Sequence, residues 1–384
     1  MNNKQIPSIR FKGYNEVWEQ HKFGELLQTL PFKPFLKEPE QDGKYEIIQQ
    51  GSEPIIGFAN GIPCNDYKDT VIFGDHTLSL YKPKHPFFVA TDGVRIVKGK
   101  QNIDGYYLLS LLERYKPQSE GYKRYYSILS DIECFIINNT KEQKQIGSYF
   151  EQLDNLITLH QHKYDKLINI KKSMLQKMFP KDETDVPEIR FKGFNDVWEQ
   201  RKFGEIVIRY DDQVDIPEDG YWRLGIRSHA KGTFHSFVEK GKELSAARMS
   251  RIKAGNFIVN ITFGWEHAVA ITDENDENKL VSHRFPQFSF KKGHNPYFYK
   301  YVISDVNFKH HLWLSSPGGA GRNRVLKIDE MLDYKMSFPN KDEQDKIFEF
   351  LNQLDNLITL YQCKLEKLQN IKKSMLEKIF PSNK

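Results

Sequence analysis

Three segments in the second half of the chain combine arginine and lysine with glycine, serine, histidine and asparagine. They are GIRSHAKGTFH (225–235), AARMSRIK (246–253) and GAGRNR (319–324). Arginine suits bidentate contact with guanine, asparagine suits adenine, and lysine and serine suit phosphate. These segments therefore predict contact with DNA. The candidate residues are Arg227, Ser228, His229, Lys231, Arg248, Arg251, Arg322, Asn323 and Arg324.

The first half of the chain carries three further candidates of the same kind. They are YEIIQQGSE (45–53), the segment around His76, and SEGYKRYY (119–126). The net charge of the whole chain is only +5, so binding must depend on local patches. Each segment by itself also fits an ordinary solvated loop. The candidate residues here are Gln49, Gln50, His76, Lys123 and Arg124.

Motifs of enzyme active sites are missing from the sequence. HNPYFYK (294–300) is similar to the Asn-Pro-Pro-aromatic motif of amino-methyltransferases, but it lacks the second proline. SPGGAGRNR (316–324) lacks the GxGxxG spacing of a dinucleotide-binding loop, and no GxSxG, HExxH or EF-hand loop occurs. The sequence therefore predicts no catalytic residue.

Metal sites, disulfides and membrane segments are not indicated either. The three cysteines, Cys64, Cys134 and Cys363, are far apart, and the histidines show no metal-ligand spacing. The first residues lack the apolar region of a signal peptide, and no apolar run approaches the ~18 residues of a membrane span. We expect a cytoplasmic protein without a bound metal.

The elements that must position these residues are duplicated. PSIRFKGYNEVWEQHKFGEL (7–26) returns as PEIRFKGFNDVWEQRKFGEI (187–206), with fifteen of twenty positions identical. The segment 141–180 returns at 342–381, with twenty-five of forty positions identical. The spacers between these boxes, 27–140 and 207–340, show little similarity. Repeated frames around divergent inserts predict two units with one scaffold and two different ligands.

Each copy of the second box predicts a long helix. Apolar residues recur at heptad spacing over about four heptads. Asn139 and Asn340 precede Glu142 and Glu343 by three residues, which is typical of an N-cap with a capping-box acid. Two matched helices in one chain most simply pair with each other. The predicted seam comprises Ile146, Leu153, Leu156, Leu167, Ile170, Met174, Ile347, Leu354, Leu357, Leu368, Ile371 and Met375.

The spacers predict mixed domains. Segments 70–81, 87–99 and 256–272 contain short β-branched and aromatic runs interrupted by Gly, Asp and Asn, as strands do. IDGYYLLSLLERY (103–115) predicts a helix. The fold class expected is α+β, with two mixed α/β globular domains separated by two long antiparallel coiled-coil helices in a pseudo-two-fold internal repeat.

The frame resembles the specificity subunit of type I restriction–modification systems. The resemblance rests on RFKG…W…FGE at 10–25 and 190–205, on LDNLI in the second box, and on the LxKxFP that ends it. Within the spacers, IFGDHT (72–77), FFVATDGVRI (87–96), GIRSHAKGTFH (225–235) and VSHRF (281–285) look like segments of target-recognition domains in that family. The first spacer is short for the family.

The resemblance implies a division of the chain into parts. Residues 1–26 form the first box, 27–140 target-recognition domain 1, and 141–180 the first spacer helix. Residues 181–206 form the linker and second copy of the first box, 207–340 target-recognition domain 2, and 341–384 the second spacer helix. Each recognition domain would contact one half of a bipartite DNA site, and the coiled coil would set the spacing.

The resemblance also implies partners. Two methyltransferase subunits that bind S-adenosylmethionine would methylate adenine, and endonuclease subunits using ATP and Mg²⁺ would translocate and cleave double-stranded DNA. This chain itself would bind no cofactor and catalyse nothing. Two alternatives stay open at this point. One is a coiled-coil adaptor that joins proteins rather than DNA, and the other is a self-contained methyltransferase with a degenerate NPY motif.

Overall fold

The computed structural model describes residues 6–181, 184, 186–242, 248–318 and 324–382. The chain divides into two compact units. Unit 1 comprises Met1–Tyr164 with Leu360–Lys384, and unit 2 comprises Asp165–Thr359. Both units mix helices with sheets, which confirms the α+β class. No helix among the described residues is long and apolar enough to cross a membrane.

The described residues of unit 1 form nine strands. They are β1 (Glu19–Lys22), β2 (Leu27–Leu30), β3 (Tyr45–Ile48), β4 (Ile55–Ala59), β5 (Thr70–Gly74), β6 (Leu80–Tyr81), β7 (Phe87–Val89), β8 (Val94–Gly99) and β9 (Glu133–Ile136). Its helices are α1 (Phe23–Leu26), α2 (Gly105–Tyr115), α3 (Tyr125–Asp131), the first part of α4 (Thr140–Lys177) and the end of α9 (Lys341–Ile379), with 3₁₀ turns at Lys33–Phe35 and Asp66–Lys68.

The strands of unit 1 form two sheets and one isolated pair. The first sheet has the order β2-β8-β5-β6 and is antiparallel throughout. The second has the order β4-β3-β7, with β3 parallel to β7. Strand β5 is buried on both faces, and its Val71 and Phe73 share a core with Leu108 and Leu111 of α2. The predicted strands at 70–81 and 87–99 and the predicted helix at 103–115 are confirmed.

Eleven strands lie in the part of unit 2 that the structure describes. They are β10 (Glu199–Lys202), β11 (Val207–Tyr210), β12 (Gln213–Val214), β13 (Tyr221–Ile226), β14 (Thr233–Val238), β15 (Met249–Arg251), β16 (Asn256–Val259), β17 (Val269–Ile271), β18 (Leu280–Val281), β19 (Gln287–Phe290) and β20 (Lys335–Phe338). Its helices are α5 (Phe203–Ile206), α6 (Tyr299–Val302), α7 (Val306–Leu314), α8 (Ile328–Leu332) and the first part of α9 (Lys341–Ile379), with a 3₁₀ turn at Gly264–Glu266.

The two inserts share one topology despite their divergent sequences. Unit 2 has a sheet of order β11-β19-β16-β17, which repeats the β2-β8-β5-β6 order of unit 1. Its second sheet, β12-β15-β18-β13-β14, contains a β13–β14 hairpin with β13 parallel to β18. Unit 1 has the same arrangement, in which β3 forms a hairpin with β4 and pairs in parallel with β7. Strands β12 and β15 have no counterpart in unit 1 and account for part of the extra length of the second insert.

The first repeated box is joined to the start of each long helix by a buried ion pair. Arg10 donates two hydrogen bonds of 2.8 Å to the fully buried carboxylate of Glu142. Arg190 and Glu343 make the equivalent pair at 2.9 and 2.6 Å. Asn139 and Asn340 accept from the backbone N–H of these glutamates, so the predicted N-caps are confirmed. The carboxylates of these glutamates accept from arginine side chains, and not from the backbone N–H of the N-cap residue as they would in a capping box.

The long helices run antiparallel within each unit. In unit 1 the beginning of α4, with Ile146 and Leu153, shares a core with Leu368 and Met375 of α9. In unit 2 the end of α4 packs in the same way against the beginning of α9. The members there are Leu167, Ile170, Met174, Ile347 and Leu354. The long helices are confirmed, and these nine residues of the predicted seam lie in or against the two cores.

The remaining seam positions are wrong. Leu156, Leu357 and Ile371 are exposed by 44%, 41% and 36%. The buried residues Ile146, Phe150 and Leu153 are separated by four and then three residues, and the same spacing recurs in α9 at 347, 351 and 354. The predicted seam instead has spacings of three and then four residues. Since consecutive residues are about 100° apart around a helix, this one-residue error turns a side chain out to solvent.

A cross-helix ion pair occupies the seam in each unit. Lys372 of α9 contacts Asp154 of α4 at 2.6 Å and Glu113 of α2 at 2.7 Å in unit 1. In unit 2 Lys171 of α4 contacts Asp355 of α9. The two ion pairs are equivalent in the duplicated sequence. Position 154 of α4 corresponds to position 355 of α9, and position 171 corresponds to position 372. The seam therefore includes a charged position that a purely apolar heptad does not reveal.

Two leucines three residues apart on α4 test the corrected seam. Leu153→Ala should lower the free energy of unfolding by ~2–5 kcal/mol, because Leu153 is only 8% exposed and its removal leaves a cavity. Leu156→Ala, the matched control, should change it by about 0.5 kcal/mol or less, as at other surface sites. Urea unfolding of the two variants measures both values. Equal losses would contradict the corrected seam.

Candidate nucleic-acid interface

Three loops of unit 1 carry the candidate residues of the first half of the chain. The hairpin loop (49–54) connects β3 to β4 and holds Gln49 and Gln50. The sheet loop (75–79) connects β5 to β6 and holds His76. The helix loop (116–124) connects α2 to α3 and holds Lys123 and Arg124. All five candidates of unit 1 therefore lie on these loops.

Hydrogen bonds join the three loops of unit 1. The backbone N–H of His76 donates to Gln50 Oε1 at 3.1 Å. His76 Nδ1 lies 3.0 Å from the carbonyl oxygen of Lys123, and because a carbonyl only accepts, Nδ1 carries the proton. The structure thus brings together Gln50, His76 and Lys123, which are far apart in the sequence.

The side chain of Asp75 anchors this arrangement. It is buried and accepts from the guanidinium of Arg95 at 2.9 Å and from the backbone N–H of Tyr126 at 2.9 Å. The second bond satisfies one of the free N–H groups at the start of α3. Gln50 fits here because Gly93 has no side chain: a Cβ at that position would lie 2.5 Å from Gln50 Nε2.

Two of the unit 1 candidates are not part of this network. Gln49 Nε2 donates within its own loop, to the carbonyl oxygen of Glu53 at 2.9 Å. Arg124 is exposed at the position preceding α3. Lys123 pairs its ammonium with Glu120 at 2.8 Å, so only its backbone joins the loops.

The aromatic residue of this site was missed by the sequence analysis. The ring of Tyr122 stacks on the imidazole of His76, with centroids 4.6 Å apart and planes 4° from parallel. Tyr122 is 86% exposed, so one face of its ring is open to a ligand. Bases of single-stranded or distorted nucleic acid stack on such rings. The signal was present in SEGYKRYY, where a tyrosine directly precedes two basic residues.

The equivalent three loops of unit 2 carry most of its candidates. The hairpin loop (227–232) connects β13 to β14 and holds Arg227, Ser228, His229 and Lys231. The sheet loop (260–268) connects β16 to β17, and the helix loop (315–327) connects α7 to α8. Arg324 lies in the helix loop, whereas the predicted residues Arg322 and Asn323 lie outside the described residues.

The loops of unit 2 are also joined to one another. Ser228 Oγ donates to Glu266 Oε2 at 2.6 Å, and the backbone N–H of His229 donates to the Glu266 carbonyl at 2.9 Å. The backbone N–H of Leu326 donates to the carbonyl of Ile261 at 2.9 Å. As in unit 1, the sheet loop contacts both the hairpin loop and the helix loop.

Two arginines of unit 2 lie against aromatic rings. The guanidinium of Arg227 lies 5.4 Å from the centroid of Phe234, and that of Arg324 lies 5.1 Å from the centroid of Trp313. Stacking of this kind restrains a long side chain and leaves N–H groups at its edge for base edges or phosphates, although Nη1 of Arg227 also donates to the carbonyl oxygen of Thr233. Lys231 is exposed at the tip of the hairpin loop.

Arg248 and Arg251 lie elsewhere in unit 2. Arg251 is the last residue of β15 and pairs with Asp212 at 3.3 Å, and Arg248 donates to Gln213 at 3.1 Å. Strand β15 belongs to the part of the second sheet that unit 1 lacks. The structure therefore does not place these two residues in the three loops.

Two polar residues near the interface have structural roles. Burial lowers the pKa of His267, which keeps the imidazole neutral, and Nε2 lies 2.7 Å from the carbonyl oxygen of Ile303. Asn295, the asparagine of HNPYFYK, donates to Asp345 at 2.7 Å and accepts from the backbone N–H of Tyr297. The NPY segment is therefore held by internal hydrogen bonds.

A family model matches most of the chain. The type I restriction modification DNA specificity domain matches residues 15–169 and 237–370. These two stretches cover much of both units, including the β5–β6 region of unit 1 and the β16–β19 region of unit 2.

Individual proteins are similar over nearly the whole chain. The type I restriction enzyme MjaVIII specificity subunit of Methanocaldococcus jannaschii is 24% identical over 413 aligned positions, covering 98% of this chain and 94% of that protein. The putative MjaX specificity subunit of the same organism is 22% identical, covering 94% and 92%. The crystal structure of the type I restriction–modification S subunit from M. genitalium has a TM-score of 0.62 at 12% identity, covering 98% of this chain and all of that one. The last likeness supports the fold alone.

Proposed function

The chain belongs to the type I restriction–modification DNA specificity family, and on that premise we propose that it is the DNA-binding subunit of a type I restriction–modification complex. Unit 1 contacts one half of a bipartite DNA site and unit 2 contacts the other half. The chain supplies sequence recognition, and its partners supply the chemistry.

The observation that carries this proposal is the pair of equivalent three-loop clusters. Each unit joins a hairpin loop, a sheet loop and a helix loop on the same strand order. The residues on those loops differ completely between the units: Gln50, His76 and Tyr122 in one, Arg227 and Ser228 in the other. One framework carrying two sets of polar and aromatic side chains is what two different half-sites require.

The long helices support a bipartite site of defined spacing. Residues 140–164 of α4 belong to unit 1, and residues 165–177 belong to unit 2. Helix α9 likewise begins in unit 2 and ends in unit 1. A continuous helix of 38 or 39 residues is stiff compared with a loop. We therefore assign the number of unread base pairs between the half-sites to this helix pair.

The partners proposed are two methyltransferase subunits and endonuclease subunits. The repeated box exposes the same apolar side chain in both units: Val17 is 66% exposed and Val197 is 63% exposed. Ile9 and Ile189 repeat this pattern. Two copies of one surface suit two copies of one partner. S-adenosylmethionine would bind the methyltransferase subunits and supply the methyl group for adenine, and ATP with Mg²⁺ would bind the endonuclease subunits.

Methylation mapping and duplex binding test the proposal. Cells that express this chain with its methyltransferase partner should carry methyladenine in one bipartite motif, detected by long-read sequencing. Tyr122→Ala should weaken binding of the complex to that motif by ~1–3 kcal/mol, because it removes a stacking ring. Phe58→Ala, an exposed aromatic of unit 1 outside the three loops, is the matched control. A complex that neither methylates nor binds duplex DNA would favour the adaptor function instead.

A further inference from the structure

A cavity opens beside the hairpin loop of unit 2. Its volume is about 360 Å³, and it lies between β13, the sheet loop and the connection after β18. Ligand cavities begin at ~300 Å³, so this one has room for a single small ring system. Its lining residues include Arg223, Ser228, Phe234, Phe263, Glu266 and Phe285.

Three phenylalanines form the apolar walls of the cavity. Phe234 is 42% exposed and Phe263 is 38% exposed, so a ligand can reach both rings. Phe234 can lie over β13 only because residue 225 is glycine. A Cβ on Gly225 would approach the Phe234 ring to 2.3 Å. These rings suit a ligand with flat, apolar faces.

The polar side chains of the cavity have both signs of charge. Ser228 Oγ donates to Glu266 Oε2 at 2.6 Å, which orients the carboxylate toward one position. Arg223 lies on the same cavity and supplies N–H donors. A phosphate would be repelled by Glu266, and a hydrocarbon would form no hydrogen bond with either charged side chain. A nucleobase has flat faces together with donors and acceptors on its edge.

We propose that this cavity binds one unpaired nucleobase that carries an exocyclic amino group, extruded from the DNA that unit 2 contacts. The carboxylate of Glu266 accepts from the amino group, as acidic side chains accept from cytosine N4. The phenylalanines cover the faces of the base, which replaces the stacking lost on extrusion. This inference rests on the proposed function of unit 2 and adds a base-binding site to it.

Fluorescent bases in the half-site of unit 2 test the proposal. 2-Aminopurine is placed in turn beside each adenine and each cytosine, so that the tested base keeps its own amino group and its extrusion unstacks the neighbouring probe, in duplexes bound by the complex with its methyltransferase. One position should brighten on binding, and Phe263→Ala and Glu266→Gln should abolish that increase. Phe263→Ala should also weaken binding about tenfold, as loss of one base stack does. Phe237→Ala, an exposed ring on the same hairpin outside the cavity, should change neither.

Several outcomes overturn the inference. An increase that survives in Phe263→Ala and Glu266→Gln belongs to a base extruded by the partner. If cytosine or adenine alone binds the complex and no duplex position brightens, the cavity is a site for free bases. If methylation of the motif is normal but no position depends on the cavity, the inference fails while the proposed function stands. Absence of any duplex binding would remove both.

Discussion

Exchange of residues 207–340 for the insert of another family member should replace one half of the methylated motif and leave the other half unchanged. Each unit has its own core and its own three joined loops, so the unit 1 loops do not depend on the unit 2 insert. The junctions lie beside α5 and α9, which belong to the duplicated frame and supply buried apolar residues at equivalent positions in both units, such as Leu26 and Ile206.

The size of this effect follows from the cost of mismatches. Each mismatched base pair costs ~1–3 kcal/mol, so several changed base pairs abolish methylation of the old motif. Long-read methylation mapping measures both halves in one experiment, and the reciprocal exchange of residues 27–140 should change the other half. A change in both halves after a single exchange would contradict independent recognition by the two units.

Lengthening both long helices by one heptad should increase the unread spacer by about three base pairs. The segment LDNLITL occurs at 153–159 of α4 and again at 354–360 of α9. Duplicating it in both helices preserves the alternation of four and three residues in the seam. Seven residues add ~10 Å of helix, and duplex DNA rises ~3.4 Å per base pair. The half-site sequences should stay the same, because the loops lie outside the helices.

Two controls accompany the heptad duplication. A duplication in α4 alone leaves α9 at its original length, so the seam loses its register and the variant should unfold more easily. The rings of His160 and Tyr361 lie 5.4 Å apart just beyond the duplicated segment. The single duplication should separate these two rings, whereas the double variant should keep them in contact. Methylation of the original spacing by a stable double variant would exclude the helices as the determinant of spacing.

The sequence by itself determined the frame of the molecule. The duplicated boxes, the N-caps at Asn139 and Asn340, and the two long helices depend on local rules, namely capping chemistry and a heptad period, so they could be predicted without coordinates. The loops could also be located, because glycine, serine and basic residues cluster where strands end. Gln50, His76, Lys123, Ser228 and His229 are predicted because such side chains suit contacts with bases or phosphates.

Only the tertiary structure decided which side of each helix is buried and which loops meet. Two rows of apolar residues flank the heptad position of Ile146, one three residues and the other four residues further along the helix. The second row is the buried one. Lys171 and Lys372 can belong to it because carboxylates of other helices pair with their ammonium groups. These ion pairs are long-range contacts, which the heptad period of one helix cannot predict. The common strand order of the inserts and the stack of Tyr122 on His76 are decided in the same way. Hydrogen bonds between distant strands and loops create them, and divergent sequences can satisfy those bonds equally well.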